Sequence, residues 1–251
     1  MTDRQITDES WIPAQWPAPP GINAGTTARN GGTSHPPYDR FNLAMHVGDR
    51  PVHVDNNRQL LHNNLYLPSE PVWLTQTHGN QVINATTSPQ DIHADGTYTK
   101  NEGIVCAVLT ADCLPLLLCN NAGTQIAAIH IGWKGFCAGI IDNAIHSFPP
   151  GDVLMAWIGP CIRADNYEIG SDVYEACRHY SKGTEKAFVQ NRPDHWLADL
   201  SMLVKLDLRR FGINRIDDCN YCTCTDAKRF FSYRREGKTG RMASLIWMDA
   251  T

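Results

Sequence analysis

Apolar and polar positions follow two kinds of pattern along the chain, which predict strands and helices. Short apolar runs predict buried strands at residues 71–78, 125–132 and 153–160. The longer apolar run at 103–120 contains Pro115, which cannot donate a ladder hydrogen bond, so we expect two strands separated by a break at 111–115. Apolar positions three and four residues apart predict helices, and these are residues 50–65, 133–148, 171–180 and 199–213.

Turn-forming residues dominate elsewhere. Residues 13–40 are rich in proline and glycine and predict an ordered loop. Residues 229–248 predict a hairpin that turns at residues 236–240 and ends in an apolar strand. A cap formed by Ser171 and Asp172 is expected to open one helix, and Gly212 is expected to close the last one.

The order of these elements predicts an α+β fold. Strands and helices do not alternate steadily, which favours a sandwich of mixed sheets over a doubly wound parallel sheet. The chain has 251 residues, no internal repeat and no linker with a shift in composition, so a single domain over residues 1–251 is expected. Residues 1–16 are expected to form a peripheral N-terminal segment.

Composition narrows the function classes. The net charge of −4 comes from 22 basic and 26 acidic residues mixed along the chain, so no basic face for nucleic acid is predicted. The sequence has no signal-peptide pattern and no apolar run of the ~20 residues that a membrane helix needs, which predicts a cytoplasmic protein without membrane contact. The nine cysteines are an odd number and favour reduced thiols. A small-molecule substrate is expected, with the protein a monomer or a weak homodimer.

Three good metal ligands lie where apolar runs end or break, namely His78, Cys113 and His130. Their separations of 35 and 17 residues match no local metal motif, but strand ends are where α/β sheets gather their sites. Two imidazoles and one thiolate leave the fourth position of a tetrahedral zinc open, which lowers the pKa of a bound water to about 7. Two alternatives remain open: each residue has an ordinary structural role, or Cys113 is a nucleophile with His130 as its base.

Other residues are candidates for substrate binding. The glycine turn around Lys134 is suited to an anion, although an ordinary turn explains it equally well. Arg29 lies close to Gly31 and Gly32, where the backbone can approach closely. Aromatic and basic side chains near the C-terminus are suited to a base and an anion, or to one buried and one solvated strand face. The predicted binding residues are Arg29, Gln76, Lys134, Phe231, Tyr233, Arg234 and Arg235.

Cys219, Cys222 and Cys224 form a Cys-x2-Cys-x-Cys group. Such a group is half of a zinc site, but no second Cys or His pair follows it within range. The sequence therefore favours free thiols here over a structural metal.

An ordered series of motifs carries a family resemblance. The motifs are TQTHGNQV, the Asp95–Gly96 pair, LTADCLPLLLC, AAIHIGWKGFCAGII, WIGPCI, YEIGSDV and FFSYRREGKTGRMASLIWM. Together they resemble the bacterial multicopper polyphenol oxidoreductase or laccase-domain family, also described as purine nucleoside phosphorylases and including peptidoglycan-editing-factor-like proteins. The resemblance runs from Pro17 to Met248.

The resemblance implies an α/β/β/α sandwich of mixed sheets. It also implies a metal, usually zinc, at His78, Cys113 and His130, with copper possible at the same site. Where the family usually has an arginine after the GW pair, this chain has Lys134, which replaces a bidentate guanidinium by a point charge.

The activity implied by the resemblance is phosphorolysis of adenosine, inosine, guanosine and methylthioadenosine, with adenosine deamination at the same site. Phosphate is expected near Arg29 and Lys134, and the purine near Phe231 and Tyr233. Asp112 is expected to act catalytically, either as a hydrogen-bond partner of a ligand histidine or as a proton carrier. The alternatives are a copper-dependent polyphenol oxidase and a Cys/His hydrolase that edits peptidoglycan precursors. The 10 histidines contain no His-x-His pair, which disfavours a multicopper oxidase.

Overall fold

The computed structural model describes residues 10–85 and 92–250. The strands of these residues are β1 (Trp11–Pro13), β2 (Ile22–Thr27), β3 (Val82–Asn84), β4 (Gly96–Thr99), β5 (Cys106–Thr110), β6 (Leu114–Asn120), β7 (Ile126–Ile131), β8 (Leu154–Ile158), β9 (Glu168–Gly170), β10 (Phe188–Arg192), β11 (His195–Ala198), β12 (Arg215–Asp218) and β13 (Met242–Met248). The helices are α1 (Pro51–Asn64), α2 (Trp133–Cys137), α3 (Ile140–His146), α4 (Ser171–Tyr180), α5 (Leu200–Arg210) and the single turn α6 (Tyr233–Glu236), and short 3-10 turns occur at Met45–Val47, Ala164–Asn166 and Thr184–Ala187. None of the helices in the described ranges has the length and hydropathy to cross a membrane.

Three sheets organise these strands. A six-stranded mixed sheet has the order β12-β8-β6-β7-β4-β3, in which the two outer pairs are parallel. A four-stranded antiparallel sheet has the order β1-β2-β13-β5, and a small antiparallel sheet has the order β10-β11-β9. The segment 10–16 of the expected peripheral N-terminus thus includes β1 at a sheet edge, and residues 1–9 lie outside the described residues.

The two larger sheets face each other across a buried core. Val108 and Ile246 of the four-stranded sheet pack in one cluster with Leu117 and Trp157 of the six-stranded sheet. Because side chains alternate along a strand, the neighbouring Leu109 belongs to a second cluster on the opposite face of its sheet.

Helices cover the outer faces of both sheets. Leu61 of α1 packs against the four-stranded sheet, while Phe136, Ile141 and Val204 of α2, α3 and α5 pack against the six-stranded sheet. The layers are therefore helix, sheet, sheet, helix, and the expected α+β sandwich is confirmed.

Several predicted elements are confirmed. The expected helices at 50–65, 171–180 and 199–213 are α1, α4 and α5, and the expected strands at 125–132 and 153–160 are β7 and β8. The run at 103–120 divides into β5 and β6, with the break at residues 111–113. Gly212 follows α5 with φ of 77°, as expected for a helix stop.

Other predictions are wrong where tertiary contacts override the local pattern. Residues 71–78 form isolated bridges at Val72 and Thr75 but no strand. The predicted loop at 13–40 contains β2, which pairs with the distant β13, and the predicted C-terminal hairpin is instead α6 followed by β13. The predicted helix at 133–148 divides at Gly139, whose φ is 82°, and no side-chain cap opens α4.

Candidate metal centre

The three predicted metal ligands meet at one point. The donor atoms of His78, Cys113 and His130 all lie within 4.8 Å of one another. The Cys113 Sγ is 3.9 Å from the His78 Nε2, and the two imidazole rings stand nearly perpendicular, with centroids 4.8 Å apart. Residues separated by 35 and 17 positions are thus brought within reach of one small cation.

Each ligand is positioned by a different local structure. His78 lies in a turn and has a left-handed φ of 60°, so it is not at the end of a strand as predicted. Cys113 lies in the break between β5 and β6, and His130 is the penultimate residue of β7. Because β6 and β7 are antiparallel neighbours with Pro115 opposite His130, the break holds Cys113 beside the histidine.

A carboxylate that the sequence analysis left without a role holds both histidines. Asp95 is fully buried, and its Oδ1 accepts hydrogen bonds from the His130 Nδ1 at 2.8 Å and from the His78 backbone N at 2.9 Å. Its Oδ2 accepts from Thr77 N and Oγ1 and from Gly79 N. Asp95 therefore fixes the His78 turn and directs the His130 Nε2 toward the centre.

The charges at the site stabilise an ionised Cys113 and a protonated His130. Burial opposes the ionisation of the Cys113 thiol, but the charge of His130 and hydrogen bonds from both histidines lower its pKa to about 6. Burial likewise opposes protonation of His130, but Cys113 and Asp95 raise its pKa to about 9. For Asp95, the His130 and N–H donors outweigh burial and lower the pKa to about 2. The Cys113 thiolate is therefore preformed at neutral pH, whereas His130 must lose a proton before it can bind a metal ion. A thiolate and two neutral imidazoles are a donor set suited to zinc.

Two glycines allow helix α2 to approach the centre closely. A Cβ at Gly132 would lie 3.2 Å from the His78 Cδ2 and 3.3 Å from the Cys113 Sγ. A Cβ at Gly135 would lie only 2.7 Å from the Gly79 carbonyl oxygen. The glycines thus serve close packing, and α2 forms the back of the metal centre.

The centre opens into a cavity of about 320 Å³. Besides the three ligands, the cavity wall includes His46, Gln76, Asp112, Ile162, Tyr167, Tyr233, Arg234 and Arg241. Four of these residues were predicted from the sequence, namely Gln76, Asp112, Tyr233 and Arg234.

The four predicted wall residues differ in how free their side chains are. The Gln76 amide is occupied by the backbone N and O of Leu109. Asp112, with φ of 103°, accepts from Thr223 Oγ1 and the Arg234 backbone N, both at 2.6 Å. Asp112 therefore does not bond a ligand histidine. The exposed ring of Tyr233 is open to a ligand.

Four predicted binding residues are not part of this cavity. The Arg29 guanidinium pairs with Glu236 at 2.7 Å and stacks 4.7 Å above the ring of the fully buried Phe231. Lys134 lies on the exposed side of α2, with its Nζ 5.7 Å from the centroid of the neighbouring Trp133 ring.

Arg235 is the fourth of these residues, and its side chain has a structural role. Its guanidinium donates to the carbonyl oxygens of Thr223, Cys224 and Phe230. The residues near which phosphate was predicted, Arg29 and Lys134, thus lie outside this cavity, and so does Phe231, one of the two residues predicted near the purine.

Sequence reasoning did not assign a role at the site to His46, Tyr167, Arg241 or Asp95. His46, Tyr167 and Arg241 reach the cavity from distant segments. Tyr167 and Arg241 lie in two of the family motifs, YEIGSDV and FFSYRREGKTGRMASLIWM, whereas His46 lies in none of them. Burial and the charges of Arg241, Arg58 and His78 lower the pKa of His46. Asp95 had one signal, its position before a glycine in a family motif.

The cysteine group near the C-terminus does not form a second centre. Within residues 10–85 and 92–250, the group of His78, Cys113 and His130 is the one cluster of three ligands suited to a metal ion. Cys219, Cys222 and Cys224 are free thiols.

Comparison with known proteins identifies the family and several relatives of this chain. Residues 23–249 match the family model described as multi-copper polyphenol oxidoreductase laccase. The purine nucleoside phosphorylase YfiH of Escherichia coli (strain K12) is 45% identical over 239 residues, covering 94% of this chain and 98% of the relative. A purine nucleoside phosphorylase of Haemophilus influenzae is 41% identical over 245 residues, covering 95% of this chain and 99% of the relative.

Solved structures have the same fold. The crystal structure of the Neisseria meningitidis protein NMB0706 has a TM-score of 0.91 at 40% identity and covers 96% of this chain and 100% of that chain. YlmD from Geobacillus stearothermophilus has a TM-score of 0.91 at 27% identity, with 98% of each chain covered. From the family match and these relatives, we conclude that the chain belongs to the multi-copper polyphenol oxidoreductase laccase family.

Proposed function

We propose that this chain is a zinc-dependent purine nucleoside phosphorylase that also deaminates adenosine. The observation that carries the proposal is a single His/Cys/His centre at a cavity whose wall includes His46, Arg234 and Arg241. The names of the relatives at 41% and 45% identity support phosphorolysis. Adenosine, inosine, guanosine and methylthioadenosine are the proposed substrates, and the cytoplasm is the proposed location.

His78, Cys113 and His130 would hold the metal, and Asp95 would keep both imidazoles in place. A zinc ion held in this way supplies Lewis acidity, which deamination of a purine requires. The single cluster in the described residues argues against a multicopper oxidase, which couples several copper ions.

The cavity wall offers separate contacts for the two substrates. Tyr233 presents an exposed ring on which a purine can stack. Arg241 remains a cation although burial lowers its pKa, and its Nη1 is held by the carbonyl oxygens of Thr239 and Gly240. We assign phosphate to Arg241 and His46, in place of Arg29 and Lys134.

Two further cavity residues orient the reactants. Arg234 is fixed by the carbonyl oxygens of Asn166 and Glu168, so its side chain forms a rigid cationic wall. Asp112 is held by two hydrogen bonds at the same wall, and we keep it as the proton carrier for the departing purine. Holding phosphate and nucleoside together lowers the entropic cost of their reaction.

The test is to incubate metal-quantified protein with adenosine, with and without phosphate, and to separate the products. Adenine that forms only with phosphate supports phosphorolysis, and inosine supports deamination. The Cys113→Ala variant should lose both zinc and turnover, whereas the control Cys222→Ala should keep both. A metal-free Cys113→Ala variant with full activity would contradict the proposal.

The same preparation tests the alternatives. If neither adenine nor inosine forms, the peptidoglycan-editing hydrolase with Cys113 as nucleophile and His130 as base becomes the better hypothesis. Phenol oxidation that appears only after copper loading would favour the oxidase.

A further inference from the structure

Two thiols face each other between helices α2 and α4, outside the metal centre. Cys137 is the last residue of α2, Cys177 lies in α4, and their Sγ atoms are 3.3 Å apart. All nine cysteines lie in the described part of the chain and all are free thiols. No other pair of cysteine sulfurs in that part makes such a contact.

The two thiols differ in exposure and in acidity. Cys137 is partly exposed and Cys177 is fully buried, so an oxidant reaches Cys137 first. The hydrogen bond from Cys177 lowers the pKa of Cys137, against the effect of burial. The same contact, together with burial, raises the pKa of Cys177. Cys137 therefore has the character of an attacking thiolate, and Cys177 that of the thiol that resolves the product.

We propose that Cys137 and Cys177 form a reversible redox pair, which a peroxide converts into a disulfide between α2 and α4. The Cys137 thiolate attacks one peroxide oxygen, the O–O bond breaks, and the departing hydroxide takes a proton to become water. The Cys177 sulfur then attacks the sulfenic sulfur of Cys137, the S–O bond breaks, and the departing hydroxide takes the Cys177 proton to become a second water. Two thiols lose two electrons in total, and one hydrogen peroxide becomes two waters.

Formation of the disulfide would displace residues that position the metal centre. Closing the sulfurs from 3.3 Å to a bond of about 2.05 Å moves them together by about 1.3 Å. Both helices pack in the same core, but Cys177 is fully buried within α4, whereas Cys137 is partly exposed at the C-terminal end of the short helix α2. The end of α2 is therefore the part that moves more. The carbonyl oxygen of Ala138, next to Cys137, accepts from Asn80 Nδ2 at 2.7 Å.

Asn80 lies two residues after the ligand His78, and Gly135 of α2 touches the same turn. Metal–ligand distances tolerate changes of only about 0.2 Å. Oxidation therefore displaces His78 and speeds metal release.

The first experiment maps the bond. Zinc-loaded protein is treated with hydrogen peroxide, digested without reductant and examined by mass spectrometry. The expected product is a linked peptide pair containing Cys137 and Cys177, two hydrogen masses lighter than the separate peptides and restored by dithiothreitol. Absence of this linked pair, or oxidation of Cys137 to a sulfinic acid without linkage, would overturn the proposal.

The second experiment measures zinc transfer to a chromophoric chelator before and after oxidation. We expect at least threefold faster release after oxidation in the wild type and in the control Cys222→Ala, but no acceleration in Cys177→Ala, which cannot form the bond. An equal acceleration in Cys177→Ala would assign the effect to oxidation of Cys113 and refute the coupling, as would no acceleration in the wild type. The zinc-transfer experiment rests on the proposed zinc centre, whereas the peptide map of the disulfide does not.

Discussion

Replacing Asp95 by asparagine tests whether this carboxylate organises the metal centre. Its Oδ1 serves His78 and His130, while its Oδ2 serves Thr77 and Gly79. An amide has one acceptor oxygen, so either orientation of asparagine leaves donors on one side facing an NH2 group. We therefore expect the affinity for zinc to fall by about 10- to 100-fold.

The same substitution should lower the stability of the metal-free protein. Folding lowers the pKa of Asp95 from 3.8 to about 2, which corresponds to about 2–3 kcal/mol of stabilisation at neutral pH. Because the folded pKa is the lower one, this stabilisation is present above the unfolded pKa and is lost as the pH falls toward 2. Asp95→Asn should therefore be less stable at pH 7 and less sensitive to acid in that range.

Zinc competition titrations and urea unfolding of the metal-free protein measure these two effects. Asp112→Asn is the matched control, since it removes a carboxylate from the cavity wall without contacting a ligand histidine. Its zinc affinity should stay within about twofold of the wild type. If Asp95→Asn also binds zinc within twofold, the assigned role of Asp95 is refuted.

Three further predictions concern the centre, the cavity and the helix behind them. Zinc binding should release one proton between about pH 6 and 9, because in this range the metal-free protein holds the Cys113 thiolate beside protonated His130. The affinity for zinc should therefore rise about tenfold per pH unit in this range and level off above pH 9. Calorimetry in buffers of different ionisation enthalpy checks this, and zero release would contradict it. Arg241→Met should raise the KM for phosphate by about tenfold or more and leave the zinc content unchanged. Lys134→Met, the control, should leave the KM for phosphate unchanged. Steady-state kinetics at varied phosphate concentration measure both. Gly135→Ala should lower the free energy of unfolding by about 1–3 kcal/mol, because its Cβ would lie 2.7 Å from a loop carbonyl oxygen; an unchanged urea midpoint would argue against this packing.

The three candidate metal ligands could be selected from the sequence because each interrupts or ends an apolar run. The expected position, at the end or the break of a strand, is found for Cys113, which lies between β5 and β6, and for His130 near the end of β7. It was wrong for His78, whose turn is shaped by the distant Asp95 rather than by a strand. The residue type indicated the ligand even where the predicted element was absent.

The cavity wall was less predictable because it depends on side-chain direction and on distant contacts. Phe231 and Tyr233 are two residues apart in the sequence, yet one is fully buried and the other is exposed at the cavity. Arg29 is close in sequence to Gly31 and Gly32, which suggested an anion site, but its guanidinium donates to the carboxylate of Glu236. His46 and Arg241 come from opposite ends of the chain, so no local pattern relates them.

The position of β13 has a consequence for biosynthesis. This strand, near the C-terminal end of the sequence, lies between β2 and β5, so Ser244 pairs with both Thr26 and Val108. While the ribosome is still translating, the two flanking strands lack the partner that lies between them, so the backbone N–H and C=O groups on those edges are unpaired. Non-local pairing of this kind folds slowly and exposes a nascent chain to aggregation. A chain truncated before residue 242 would therefore keep these strands unpaired and become a target for proteases and chaperones.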